Sequence, residues 1–487
     1  MLTLRPYQIQ ALDAIRSAMR DGAHAPLYVL ATGAGKTLVF AEIARSAAAR
    51  HNRVLIVVHR QEILAQTLAK LHALGVTSGQ IAAGRPMTLD TVQTAMVQTL
   101  VRRLQHVRRP DLIIQDEAHH VTSDNSWGRV FRYWREVPRL GVTATPERLD
   151  GVGLGHNFDR LIFGPSMAEL IAGGFLSYPV LYRPPEEIIG AYHVKRGDFD
   201  TGEQQQVMSR RKIVGDVIDH YRRHMEGLPA ICFCVSVEHS RLMAEEFTAR
   251  GYRSQAVYGN MPDGEREDAL RGLASGQVQV ITSCDLISEG FDTPAVAGVI
   301  LLRRTMSLGL YLQQCGRSLR PFPGKNRAVI LDHVGNYYLH GHILIERKWS
   351  LDSGRRDPRR EEPPTTTTCP KCYGIWPGRP RQCPECGYSF AEEQAPRKGA
   401  KSFAVIRAEL IEAGADPGDV EALAAFLARA QYMNPQQQQR AMWGKAYELA
   451  ALGEEGKRKL DRLREAVGYR RGWTRFVWTE VMRRRAN

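Results

Sequence analysis

The segment Thr32-Gly33-Ala34-Gly35-Lys36-Thr37 constrains the fold more than any other part of the sequence. Glycines, a lysine and a threonine at this spacing make a loop whose backbone N–H groups curl around a phosphate. Such a loop works between the end of a strand and the first turn of a helix. Both flanks are present. Leu27-Tyr28-Val29-Leu30 is a short apolar run, and Leu38 to Arg50 carries apolar residues at helical spacing. The helix N-terminus adds the positive end of its dipole. Lys36 is placed to pair with β- and γ-phosphates, and Thr37 to hold Mg²⁺ through its hydroxyl. Thr32, Gly33, Ala34 and Gly35 supply the cradle.

A chain built on this unit must continue as a parallel α/β sheet, and it does. Val54–Val58, Leu112–Ile114 and Leu140–Val142 read as buried strands with helical patterns between them. Asp116 and Glu117 follow the strand Leu112–Ile114, 79 residues beyond Thr37. Carboxylates there emerge at the C-terminal edge of the sheet, where open α/β folds bind ligands. Asp116 is placed to bind Mg²⁺, and Glu117 to orient and deprotonate an attacking water. A second strand–helix series runs through Ala230–Val235, Ser254–Val257, Val278–Thr282, Val299–Leu302 and Ala328–Leu331. The expected division is a first lobe at 1–170, a connection at 171–204 and a second lobe at 205–350. A Pro/Thr-rich linker follows at 351–368, a cysteine-bearing ribbon at 369–392 and a basic helical region at 400–487.

The motifs of the two lobes, in their order, resemble those of superfamily-2 helicases of the DEAD/DEAH-box type, and the resemblance covers about residues 1–345. Leu4-Arg5-Pro6-Tyr7-Gln8 resembles the adenine-recognising motif, His59-Arg60-Gln61-Glu62 motif Ia, and Thr91-Val92-Gln93-Thr94 motif Ib. Gly141 to Pro146 matches motif III, Phe233 to Ser236 motif IV, Thr282 to Asp292 motif V, and Gln313 to Arg320 motif VI. Leu30 stands where the general phosphate-loop pattern has glycine, a departure common in helicases. Within the superfamily the chain is similar to RadD-type proteins of bacterial DNA repair. They share the Arg-Pro-Tyr-Gln start, the Gly290-Phe291-Asp292 wording and cysteine pairs after the second lobe. The tail has no counterpart in that match, and one set of four cysteines is present.

The resemblance implies two RecA-like doubly wound lobes and ATP hydrolysis between them. It implies that Arg5 and Gln8 meet the adenine, that Gln313, Arg317 and Arg320 complete the catalytic site from the second lobe, and that Gly290 and Asp292 approach the nucleotide. Arg320 is the expected arginine finger. It further implies nucleic-acid contacts at Arg60, Thr94, Thr282 and Ser288, with Thr143 and Thr145 linking the ATP site to the strand. For each of these contacts an ordinary structural role is an equal alternative.

Cys369-x-x-Cys372, ten residues, then Cys383-x-x-Cys386 is a paired-knuckle spacing for a structural Zn²⁺ with all four positions filled by thiolate. Lys371, Arg379, Arg381, Tyr373, Trp376 and Tyr388 could stack and neutralise a single strand; the rings could equally form the ribbon's own small core. From Arg397 to Asn487 there are 18 Lys and Arg against 11 Asp and Glu. Trp473, Phe476 and Trp478 interleave with arginine there, which fits nucleic acid; the equal alternative is an amphipathic helix whose Trp473, Phe476 and Val477 face a core.

The formal net charge of +14 favours an anionic partner, though a merely soluble basic protein would also carry it. No stretch reaches the roughly 18 to 20 apolar residues of a membrane span. The start lacks a signal-peptide core. The expectation is a cytoplasmic, bacterial or phage-encoded protein that uses ATP, Mg²⁺ and structural Zn²⁺. Its expected partner is DNA, single-stranded or branched, and its work DNA repair, recombination or replication-fork processing. The alternatives are a double-strand translocase of restriction type, an RNA helicase, and an ATP-controlled clamp that recruits a protein through the ribbon or tail.

Overall fold

The computed structural model divides into two compact units, Met1–Arg379 and Pro380–Asn487. It describes residues 3–122, 124–148, 151–184, 192–195, 197–284, 296–352, 366–390, 407–408, 411–412, 424–428, 435–449, 452–467 and 473–486.

The first unit holds two sheets. The first contains β1 (Pro26–Val29), β2 (Val54–Val58), β3 (Ser78–Ile81), β4 (Val92–Met96), β5 (Leu112–Asp116), β6 (Arg139–Thr143) and β7 (Arg160–Phe163). All are parallel, in the order β3-β4-β2-β5-β6-β1-β7. The central strands are buried along their whole length, as expected when helices cover both faces. This order puts the C-terminal ends of β5, β6 and β1 side by side. The acidic pair, the Gly141–Pro146 segment and the phosphate loop therefore meet at one edge. Gly141 is required there, because a Cβ would lie 2.4 Å from the Phe158 ring and 2.8 Å from Leu27.

The second sheet contains β8 (Pro179–Tyr182), β11 (Ala230–Phe233), β12 (Ser254–Val257), β13 (Val280–Ser283), β14 (Gly298–Leu301), β15 (Ala328–Asp332), β16 (Thr366–Thr368) and β17 (Gly374–Pro377). Its order is β12-β13-β11-β14-β15-β8-β17-β16, parallel as far as β8 and antiparallel beyond it. Two segments differ from their sequence reading. The stretch 171–204 reads as a connection, yet it contributes β8 to this sheet. It also forms the ribbon β9 (Val194–Lys195) and β10 (Asp198–Phe199). The stretch 351–368 reads as a linker, yet Thr366–Thr368 pair with Gly374–Pro377. β-branched threonines suit an edge strand once a partner is available. The Cys369–Cys372 knuckle therefore stands on a hairpin that extends this sheet.

In the second unit the helices Pro435–Leu449, Gly453–Val467 and Trp473–Ala486 share a core with Phe426, Met442, Leu460, Val477, Trp478 and Val481. Val477 and Trp478 are buried. For Val477 the core-facing alternative therefore holds, and Trp478 is buried beside it.

Candidate active site

The phosphate loop has the backbone its glycines allow. Gly33 and Gly35 both take φ +86°, and Gly35 is the N-cap of the helix Lys36–Ala48. The loop is held from outside by the helix Pro6–Arg20. Tyr7 donates its hydroxyl to the Ala34 carbonyl at 2.7 Å. The Gln8 amide donates to Ala34 and Gly35 carbonyls at 3.4 Å each, and its oxygen accepts the Arg5 N–H at 2.9 Å. Phe175 packs edge-on against Tyr7 at 5.0 Å, and the Arg5 guanidinium lies 5.1 Å from its ring centre. Phe175 carries no sequence signal; only its place beside Tyr7 and Arg5 reveals it.

Asp116 is buried at the end of β5, and its Oδ1 accepts the Glu117 N–H at 3.0 Å. Glu117 sits at φ +48°, a left-handed conformation uncommon for a residue with a side chain. That turn directs its carboxylate to 3.4 Å from His119 Nδ1. The same nitrogen is 3.0 Å from the Thr143 hydroxyl, which donates to the Thr145 carbonyl at 3.1 Å and accepts the Thr145 N–H at 3.2 Å. His119 thus connects the acidic pair to Thr143 and Thr145, a role its position in the motif does not disclose. A Cβ on Gly309 of the second lobe would stand 3.0 Å from the Thr145 hydroxyl. The chain of contacts consequently runs from Glu117 to the helix Leu308–Gly316, which leads into Arg317 and Arg320.

Both lobes line one cleft of about 390 Å³. Arg5, Gln8, Thr32, Gly33, Gly35, Lys36, Thr37, Asp116, Glu117, Arg317 and Arg320 all face it. The approach is close, since a Cβ on Gly316 would fall 2.6 Å from Thr32 Cβ and one on Gly33 would fall 3.3 Å from Arg320 Cγ. An ion pair between Arg266 and Glu62, 2.8 Å long with both side chains largely buried, joins the lobes beside it. Burial pulls the Arg320 guanidinium down to about 10. An anionic phosphate in the cleft would relieve that desolvation. Gln313 is buried, and its Nε2 has no hydrogen-bond partner among the described residues. A strained acid and a buried guanidinium around a glycine cradle fit a nucleoside triphosphate with Mg²⁺. Thr37 and Asp116 would hold the metal, which would neutralise charge building on the phosphates.

The predicted nucleic-acid residues are less concentrated. Thr94 is buried and pairs its hydroxyl with Ser78 at 2.9 Å; Thr282 is buried and donates to the Ser240 carbonyl at 2.6 Å. Arg60 is half-buried, with Nε 3.3 Å from His59 Nε2. Ser288, Gly290 and Asp292 lie outside the described residues.

The first 148 residues match the family model of the type III restriction enzyme res subunit, and residues 210–321 match the helicase conserved C-terminal domain. A 51.5 kDa protein of a Lactococcus phage is 33% identical over 368 residues, spanning 75% of this chain and 78% of its own length. The chain belongs to the superfamily-2 helicases. A Saccharomyces cerevisiae protein named as an ATP-dependent helicase, IRC3, is 27% identical over 68% of this chain and 51% of its own length, so this helicase spans about half of that relative. A Vibrio vulnificus fragment described as an HsdR subunit of a type I restriction enzyme shares the fold. Its TM-score is 0.56 at 21% identity, over 70% of this chain and 67% of that one. ATP and Mg²⁺ follow from this membership. RadD-type identity is not among these findings.

The Sγ atoms of Cys369, Cys372, Cys383 and Cys386 all lie within 4.8 Å of one another, and none is in a disulfide. A tetrahedral site with metal–sulfur bonds of about 2.3 Å needs sulfurs about 3.8 Å apart, so the donor set suits Zn²⁺. Each knuckle closes in the same way. Tyr373 N–H returns to the Cys369 carbonyl at 2.9 Å, and Gly387 N–H to the Cys383 carbonyl at 2.9 Å. Tyr373 and Gly387 both take positive φ, +61° and +71°. Trp376 is buried, which agrees with the alternative that the ribbon's rings form a small core. No helix among the described residues is long and apolar enough to cross a membrane.

Proposed function

We propose that this helicase is a DNA-dependent ATPase of the DEAH type that unwinds or remodels DNA during repair, recombination or fork processing, as RadD-type proteins do. The observation that carries the ATPase part is the single cleft lined by Lys36, Thr37, Asp116 and Glu117 from one lobe and Arg317 and Arg320 from the other. Glu117 takes the proton of the attacking water while the two arginines meet the charge that gathers on the transferred phosphate. Hydrolysis then changes how the lobes meet. That becomes movement because both lobes grip phosphates and sugars of one strand, without reading sequence. The DNA part is supported by the charge of +14 and by the restriction-type and helicase relatives. We place the protein in the cytoplasm of a bacterium or phage-infected cell, with a structural Zn²⁺ at the four cysteines.

A second reading, a double-strand translocase of restriction type, is favoured by the res-subunit match over residues 1–148. Steady-state ATP hydrolysis separates the two, measured with single-stranded, duplex and forked DNA and with RNA, using Lys36→Ala as the blank. Stimulation by single-stranded or forked DNA supports unwinding, and stimulation by duplex alone supports translocation. Stimulation by RNA alone refutes the DNA assignment. Hydrolysis unchanged by any nucleic acid refutes the motor.

A further inference from the structure

Motif VI ends in Arg320, and the next five residues, Pro321-Phe322-Pro323-Gly324-Lys325, turn back beneath it. Lys325 N–H donates to the Phe322 carbonyl at 3.1 Å, and Gly324 takes φ +82°. This is a turn with glycine where a side chain would be strained. It returns the lysine side chain under the segment that carries the arginines. There Lys325 Nζ donates to the carbonyls of Ser318, of Arg320 at 2.8 Å and of Val296 at 2.9 Å. The ring of Phe322 lies 5.2 Å from the same nitrogen. The one intervening carbonyl, Leu319, accepts the Ser177 N–H at 2.7 Å. All three carbonyls from 318 to 320 are thereby fixed.

Val296 stands four residues beyond the motif V sequence, just before β14. One side chain consequently ties the entry to β14 to the turn that carries Arg317 and Arg320. The geometry suits an ammonium, which has three donors and meets three carbonyls. Burial alone pulls Lys325 down to about 7, while hydrogen bonds to the charged form oppose that shift.

We propose that Lys325 is a positioning residue for ATP hydrolysis, holding the arginine-bearing turn of motif VI against the entry to β14 by a three-carbonyl clamp. It touches no reacting atom; it acts through the backbone that aims Arg317 and Arg320. The inference rests on the ATP-hydrolysing reading of the cleft. A misplacement of about 1 Å at a catalytic group can cost on the order of 100-fold in rate. The three carbonyls of the clamp lie outside the phosphate loop and outside the Tyr7–Phe175 contact that supports it.

The test uses the full chain with saturating nucleic acid, and compares Lys325→Met, Lys325→Gln and Lys325→Arg for kcat, KM for ATP and thermal unfolding. We expect Lys325→Met to lose about 10- to 100-fold in kcat with KM changed less than about threefold. Lys325→Arg, which keeps a cation with several donors, recovers most of the loss, and Lys325→Gln lies between. The two donor-bearing variants keep the test open should Lys325→Met not fold. A Lys325→Met or Lys325→Gln enzyme with the wild-type kcat overturns the clamp. So does a set in which kcat tracks only the loss of folded protein. A wild-type chain that hydrolyses no ATP sinks the reading of the cleft instead, and the two failures are thus distinct.

Discussion

Gly316→Ala should separate activity from stability. Gly316 ends the helix Leu308–Gly316, and an added Cβ would meet Thr32 Cβ at 2.6 Å and its methyl at 2.7 Å. Ordinary contact begins near 3.4 Å, so one side must move by at least 0.8 Å, the difference of the two distances. The clash joins the phosphate loop of one lobe to the helix that presents Arg317 and Arg320 from the other. The shift therefore falls on the alignment of the catalytic groups. A displacement near 1 Å costs about 100-fold in rate, about 2.7 kcal/mol in the barrier. Alanine at a helix end has the higher helix propensity by up to about 1 kcal/mol, so the separate lobes should be no less stable. The assay is nucleic-acid-stimulated ATP hydrolysis beside a thermal unfolding curve. We expect kcat to fall about 100-fold with an unfolding midpoint unchanged or slightly higher. A variant as fast as the parent would refute the closeness of the two lobes at this point.

Two further outcomes follow from the second sheet and the cysteines. Burial holds His220 at about 2, His333 at about 3, and His239 and His342 at about 4, all below the ordinary 6.5. The unfolded chain binds these protons more readily, so stability is full above pH 6.5 and is lost as pH falls from there through the folded values of about 4 to about 2. The cost is about 2 kcal/mol per histidine at pH 5. The unfolding midpoint should drop between pH 7.5 and pH 5, and a flat midpoint would contradict the neutral burial of these rings. Replacing Cys372 by serine, or stripping metal with a chelator, should release one Zn²⁺ per chain, read by metal analysis. It should also lower the unfolding midpoint. A purified chain with no bound metal and an unaltered midpoint would argue against the site.

The candidate cleft was legible in the sequence because its residues belong to local motifs. The phosphate loop, Asp116 with Glu117, and the Gln313 to Arg320 spacing each specify a short backbone shape and a charge pattern. The parallel order of β5, β6 and β1 then brings the first two together. What the sequence did not disclose depends on partners far along the chain. The strands Pro179–Tyr182 and Thr366–Thr368 become strands only by pairing with other edges of one sheet. Asp198 receives Met306 N–H at 2.7 Å and the Thr305 hydroxyl at 2.9 Å, across more than a hundred residues. Motif position suits the hydroxyls of Thr94 and Thr282 equally to a nucleic-acid contact and to an ordinary structural role. Their neighbours Ser78 and Ser240 are close only after folding. Lys325 carries no periodic or spacing signal, and His119, though it closes the Asp116–His119 box, shows its contacts only in the fold.

In the proposed mechanism ATP is hydrolysed in a site shared by the two lobes. The most direct measurement is the kcat of Arg320→Ala with saturating nucleic acid, with nucleotide-analogue binding measured on the same protein. An arginine finger is worth roughly 10³- to 10⁵-fold in rate. We expect a loss of that order, with the folded chain still binding the analogue. Arg320→Ala turning over at the wild-type rate would show that the second lobe does not complete the site.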